Sequence, residues 1–115
     1  MLGMGLLEPD APEIDPQTLL ICLADEWPPV LIDVRQPHEY RKGHIAGVIS
    51  MPLTEVSQRL HELPRDRPVI LICRTGRRSR AAARLLRRTG YASFNLQGGM
   101  LRWYRANLPV EKIPK

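Results

Sequence analysis

Val69-Ile70-Leu71-Ile72-Cys73-Arg74-Thr75-Gly76-Arg77-Arg78-Ser79-Arg80, followed by Ala81 to Thr89, is the stretch from which the fold is read. Val69 to Ile72 are four apolar residues rich in β-branching after a Pro-flanked loop, and they predict a buried strand. Ala81 to Thr89 carries strong helix formers and stops at Gly90, so a helix is expected there. Cys73 therefore sits where a strand ends. Gly76 permits a tight left-handed turn, and successive backbone N–H groups of such a loop can converge on one point ahead of the following helix. The Cys73 sulfur is expected at that point. Convergent N–H dipoles, a helix N-terminus and the charges of Arg74, Arg77 and Arg78 all favour an anion, which marks Cys73 as a thiolate nucleophile.

A chain of 115 residues with 43% hydrophobic content is one domain, able to bury a core without disulfides or a metal. Residues 13–110 are expected to form it, with 1–12 a flexible N-terminal arm and 111–115 a short C-terminal tail. Met1 to Leu7 is apolar but short, uncharged and closed by Glu8-Pro9-Asp10, and no window approaches a membrane span. The expected compartment is the cytoplasm. Cys22 and Cys73 stand in unlike contexts and make neither a disulfide framework nor a zinc site, so a reducing environment and no metal are expected.

The net charge of +5 conceals an asymmetry: residues 1 to 29 hold six acids and no Lys or Arg. The rest of the chain carries all 17 basic residues against the other six acids, a balance of +11. Such a body attracts small anions, acidic proteins or nucleic acid. Solvation of helices accounts for most of these arginines, but not for three within five residues of a cysteine. Arg80, Arg84, Arg87 and Arg88 fall near one another at helical spacing. Without interleaved aromatic residues or a binding motif they read as a solvated face, not as a nucleic-acid surface.

Outward from the central stretch, strands and helices alternate. Glu13-Ile14 is a short edge strand, and Asp15-Pro16 caps a helix running to about Asp25 with Leu19, Leu20 and Leu23 on its apolar stripe. Cys22 lies on that helix as a small apolar residue; a resolving role toward Cys73 would need matching geometry. Val30 to Val34 is a central strand whose one acid, Asp33, needs a partner such as Arg35 or a neighbouring N–H. Pro37 starts a short helical turn through Glu39 and Tyr40, closed by Gly43, and Val48 to Met51 is a strand. Leu53, Val56, Leu60 and Leu63 recur at helical spacing and predict a helix over 53–63. Ala92 to Leu96 is a further strand, and Gln97-Gly98-Gly99 turns into a last helix from Met100 to Asn107 with Trp103 inward. His38, His44 and His61 have structural or solvated roles. This alternation implies an α/β architecture with a mostly parallel sheet of four to five strands, helices on both faces, and ligands beyond the C-terminal strand ends.

Four segments together resemble the single-domain rhodanese sulfurtransferases. They are Leu31-Ile32-Asp33-Val34-Arg35 with Pro37, Glu39 and Tyr40; Gly43-His44-Ile45 with Gly47 and Pro52; Cys73 to Ser79; and Gly98-Gly99-Met100 with Trp103. The resemblance spans about Ile14 to Pro109. It implies a rhodanese-like three-layer fold and a persulfide on Cys73, formed from a donor such as thiosulfate and passed to cyanide, a cellular thiol or a protein sulfur acceptor. It implies that Arg74, Thr75, Gly76, Arg77, Arg78 and Ser79 form the substrate-binding loop, and that Asp33, Arg35 and Glu39 support it structurally. It requires no metal or organic cofactor and no membrane. The loop is similar to the thiosulfate-type pattern, in which arginines accompany the cysteine. The cell-cycle dual-specificity phosphatases share this fold, but phosphatases of the Cys-x5-Arg type need arginine six places after the cysteine, where this chain has Ser79, so phosphatase or arsenate-reductase activity is disfavoured. A sulfur-relay carrier or a rhodanese-like binding module is the remaining alternative.

Overall fold

A computed structural model describes residues 10–113 of the chain. Five strands form a single parallel sheet: β1 (Glu13–Ile14), β2 (Val30–Asp33), β3 (Ile49–Ser50), β4 (Val69–Ile72) and β5 (Ser93–Leu96), in the order β1-β5-β4-β2-β3. Among the described residues α1 (Pro16–Leu23), α2 (Pro37–Lys42) and α3 (Arg78–Arg88) connect successive strands, and α4 (Gly99–Arg105) follows β5. The fold is the α/β arrangement expected, with five strands at the upper end of the range.

The period-2 alternation of β4 sorts its side chains onto two cores. Val69 and Leu71 pack with Ile32, Val34, Val56, Ala83 and Leu86 beneath α3, and Cys73 continues the parity of that face. Ile70 and Ile72 pack on the other face with Leu19, Leu96, Met100 and Trp103, under α1 and α4. Both faces of β4 are thus dry, which is why its four residues are all apolar and all buried. Trp103 is fully buried as expected, and its indole N–H donates to the Pro109 carbonyl at 2.9 Å.

Two elements differ from expectation. The helix expected over 53–63 is instead a pair of 3-10 turns, Leu53–Gln58 and Leu60–Glu62. Glu55, Arg59, Glu62 and Leu63 each donate three residues back, to Pro52, Val56, Arg59 and Leu60. Pro52 and Pro64 bracket the segment, and Arg59 breaks it with φ −114° and ψ 12°. The Arg59 guanidinium then clamps Glu55 and Glu62, one from each turn. The apolar residues share a face because the turn restarts at Arg59, not because one helix is continuous. The second difference is α3, which begins at Arg78 and not at Ala81.

Of the arm expected over 1–12, only Asp10 to Pro12 fall among the described residues. There Ala11 is 5% exposed within the α3-side core, and Asp10 pairs with Arg84. Of the tail expected over 111–115, Glu111 exchanges backbone hydrogen bonds with His44, and the Ile113 N–H donates to the Arg41 carbonyl. His44 itself is buried, stacks on Tyr40 with ring centroids 3.9 Å apart, and places Nδ1 2.8 Å from the Tyr40 carbonyl.

Asp33 and Arg35 close the end of β2. The two are 1% and 3% exposed. Oδ1 of Asp33 accepts from the Arg35 backbone N–H at 3.0 Å and from Nε at 2.9 Å, and Oδ2 accepts from Nη2 at 2.7 Å. Arg35 Nη2 also donates to the Gly43 carbonyl at 2.7 Å, and Tyr104 donates its hydroxyl to the same carbonyl at 2.8 Å. Burial works against the Arg35 charge, but the Asp33 hydrogen bonds outweigh it and raise the guanidinium above its usual range. One buried pair therefore ties β2, α2 and α4 together. Arg35→Ala leaves the Asp33 carboxylate buried without its cation and is expected to cost roughly 3–5 kcal/mol in urea unfolding, whereas replacing an exposed arginine such as Arg105 should cost under about 0.5 kcal/mol.

Candidate active site

The end of β4 delivers Cys73 into a loop, Cys73 to Arg77, that feeds directly into α3. Cys73 is fully buried. Its Sγ accepts a hydrogen bond from the Gly76 backbone N–H at 3.0 Å, and the Ser79 hydroxyl lies 3.2 Å away. The loop was expected to aim several N–H groups at the sulfur; among the described residues it aims one, and a side-chain hydroxyl is the second group. Ser79 reaches the sulfur because α3 starts three residues early, placing it in the first turn on the buried side.

Gly76 adopts φ +94°, and a Cβ there would stand 3.3 Å from the Leu96 carbonyl oxygen. Only glycine takes that conformation at little cost and fits that space. The loop's outer carbonyls are held by α4. Met100 N–H donates to the Cys73 carbonyl at 2.8 Å, and Leu101 N–H donates to the Arg74 carbonyl at 2.9 Å. These belong to the first turn of α4, whose N–H groups have no partner within their own helix. The approach requires Gly99: a Cβ on it would lie 2.5 Å from the Cys73 carbonyl oxygen, and its φ is +59°. These two bonds anchor the start of the loop to α4, and the N–H that faces the sulfur is that of the Thr75–Gly76 peptide, two units further on.

The charged residues divide into two sets. Arg78 is engaged, with Nη2 3.1 Å from Oε2 of Glu39 and Nη1 3.3 Å from Oε1. Arg74 and Arg77 are exposed and have no acidic partner among the described residues. Arg74 lines a cleft of about 180 Å3 together with Arg35, Glu39, Lys42, Leu101 and Tyr104. Thr75 is exposed on the rim. Asp33 stands behind Arg35, which reaches the cleft wall, while Glu39 acts directly on a loop arginine. No group of His, Cys, Asp or Glu able to hold a metal occurs among the described residues.

Cys22 lies elsewhere. It lines a separate cavity with Trp27, Pro68, Ile70 and Phe94, toward the ends at which β4 and β5 begin. Cys73 follows the other end of β4, so α1 offers it no resolving thiol. Two residues at the site escaped the reading from sequence. Asn95 donates from Nδ2 to the Gly76 carbonyl at 2.8 Å and meets the Ser79 hydroxyl with Oδ1. Tyr104 brings its hydroxyl to the Arg35 cluster. In sequence Asn95 is one polar residue at a strand end, and nothing in its spacing shows that β5 adjoins β4.

Residues 17–106 match the Rhodanese-like domain family. The chain belongs to the rhodanese family of sulfurtransferases. It is similar to a sulfurtransferase of Allochromatium vinosum, 38% identical over 99 residues and covering 85% of this chain and 92% of that one. It is 30% identical over 82 residues to a thiosulfate sulfurtransferase of Vibrio cholerae, covering 70% of this chain and 77% of that one. The crystal structure of a rhodanese-related protein from Thermoplasma volcanium superposes with a TM-score of 0.81 at 30% identity, covering 87% of this chain and 97% of that one. Four longer relatives are matched over only 15% to 59% of their length. None of the rhodanese domain's described helices is long and apolar enough to cross a membrane.

The Glu39–Arg78 pair makes the site sensitive to pH. Burial alone would raise the Glu39 carboxyl, but hydrogen bonds from Arg78 and from the Gln36 N–H offset this and hold it below its ordinary value of 4.5. An acid lowered by folding contributes stability that is present above its unfolded value and lost as pH falls through the folded one. Wild type is therefore expected to exceed Glu39→Gln in urea midpoint at neutral pH, with the gap closing as the pH is taken below 4.5.

Proposed function

We propose that this rhodanese is a thiosulfate-type sulfurtransferase that carries sulfur as a persulfide on Cys73. The observation that supports this most is a cysteine sulfur facing the Gly76 N–H at 3.0 Å inside a loop bearing Arg74, Arg77 and Arg78. The Cys73 thiolate attacks the outer, sulfane sulfur of thiosulfate. A new S–S bond forms to Sγ, the bond between the two thiosulfate sulfurs breaks, and sulfite leaves with the electron pair. A thiophile such as cyanide then attacks the outer sulfur of the persulfide, giving thiocyanate and returning the pair to Sγ. Both steps balance as two-electron exchanges at sulfur, so the cycle needs no metal or organic cofactor.

Arginines suit the first step because a dianion must approach an anionic sulfur, and guanidinium groups stabilise both along the path. Arg74 and Arg77 are available for this, whereas Arg78 is shared with Glu39. The name of the Vibrio cholerae relative agrees with thiosulfate as donor. A cellular thiol or a protein acceptor can replace cyanide in the second step, which would make the chain a sulfur relay. A reducing cytoplasm suits two free cysteines. Phosphate-ester chemistry fits poorly: the position six after Cys73 holds the buried Ser79, with no guanidinium there to grip a phosphate.

Incubation with thiosulfate followed by intact-mass measurement is expected to show one added sulfur, removed by cyanide and absent from Cys73→Ser. A wild-type protein that gains no sulfur while hydrolysing a phosphate ester would overturn the proposal. The division of the arginines gives a second expectation in steady-state kinetics. Arg78→Ala raises KM for thiosulfate several-fold while barely changing use of a neutral persulfide donor; Glu39→Gln, by releasing Arg78, lowers KM for thiosulfate, by about 2-fold to 5-fold in keeping with one exposed ion pair.

A further inference from the structure

Asn95 is 1% exposed, and its backbone is held on both sides, by pairing of β5 with β4 and by donation of its N–H to the Pro12 carbonyl at 3.0 Å. Its carboxamide can point only one way. Nδ2 faces two groups that only accept, the Gly76 carbonyl at 2.8 Å and Oε2 of Glu13 at 3.4 Å. Oδ1 is therefore turned to the Ser79 hydroxyl. That hydroxyl has one proton and two acceptors in reach, Oδ1 of Asn95 and Sγ of Cys73. While the sulfur is a thiol, S–H donates to the Ser79 oxygen and the Ser79 proton rests on Oδ1. Once the sulfur is ionised, the charged acceptor draws that proton into a three-centre bond shared between Sγ and Oδ1, so the hydroxyl reaches the sulfur without giving up Asn95. Only a hydrogen moves. The heavy atoms of Ser79 are already in place because Asn95 holds them there, and the same carboxamide anchors the carbonyl side of Gly76, whose N–H is the other donor to the sulfur.

We propose that Asn95 is a positioning residue for the Cys73 thiolate, holding the Ser79 hydroxyl and the Gly76 turn so that both donors meet the charged sulfur. This deepens the sulfur-transfer reading, on which its catalytic meaning rests, but the geometry concerns the reactivity of Cys73 alone. The sign of the effect separates positioning from mere structural support. Cys73 is fully buried, so general loosening would expose it and speed its reaction with an alkylating agent; loss of positioned donors would slow it.

The test is alkylation of the intact folded chain by iodoacetamide, followed peptide by peptide by mass spectrometry, with Cys22 as an internal control at the other end of the sheet. Asn95→Ala and Ser79→Ala are each expected to slow Cys73 by about tenfold, the effect of one hydrogen bond to a charged group, and to leave Cys22 unchanged. Because the two side chains act as one unit, the double variant should be no slower than Asn95→Ala alone, to within about twofold. An unchanged or faster Cys73 in Asn95→Ala, or losses that multiply in the double variant, overturns the proposal. If Asn95→Ala does not fold, the near-isosteric Asn95→Asp decides: it sets a second oxygen against the Gly76 carbonyl, so the same slowing is expected and a wild-type rate overturns it. Persulfide formation from thiosulfate is measured on the same samples. A wild type that takes up no sulfur while Asn95→Ala still slows alkylation removes the proposed function and leaves the positioning role; uptake of sulfur with no change in alkylation does the reverse.

Discussion

The loop that carries Cys73 is anchored from outside, through the two carbonyl groups it offers to α4. A loop between a strand and a helix has C=O groups with no ladder partner, and once buried each needs a donor from outside the loop. The first turn of α4 supplies them, with Met100 and Leu101 donating to the Cys73 and Arg74 carbonyls. A helix start always has N–H groups to spare, and spending them on a neighbouring loop satisfies both elements at once. The contact is so close that Gly99, the first residue of α4, has no room for a side chain. The cradle is therefore a joint product of the β4–α3 loop and a helix some twenty residues further along the chain.

A second constraint fixes the surroundings. The Asp33–Arg35 pair costs desolvation, and its geometry shows what offsets it: several hydrogen bonds from one guanidinium to Asp33, and a further one to the Gly43 carbonyl. It joins the end of β2 to the end of α2 and, through Tyr104, to α4. The same α2 carries Glu39 to Arg78, so the position of the loop arginine follows from packing two elements away. Charge near the sulfur is thus graded. Arg78 is partly neutralised, while Arg74 and Arg77 remain exposed, and the net field at the mouth is weaker than three arginines in the sequence suggest.

Burial of Cys73 also has a consequence for chemistry. In a dry, close-packed setting each hydrogen bond to a charged sulfur counts for more than it would in water, and each missing one costs more. The Gly76 N–H and the Ser79 hydroxyl are therefore few but strong, and the Asn95 carboxamide governs both.

The sequence by itself determined the alternation of strands and helices, the parallel sheet, the cysteine at the end of β4 and the arginine-bearing loop. These are local: apolar period, proline and glycine punctuation, and the order of residues within one turn carry them. The pairing of Asp33 with Arg35 was also legible, because the two are two residues apart and a buried acid needs a partner. Tertiary structure alone decided that the segment over 53–63 restarts at Arg59 as 3-10 turns, that Glu39 occupies Arg78, that α4 anchors the Cys73 and Arg74 carbonyls, and that Asn95 reaches Ser79 and Gly76. Each of these joins residues whose separation along the chain, or whose backbone geometry, leaves no periodic trace. The sheet order β1-β5-β4-β2-β3 places β5 beside β4, and only that adjacency makes Asn95 part of the site.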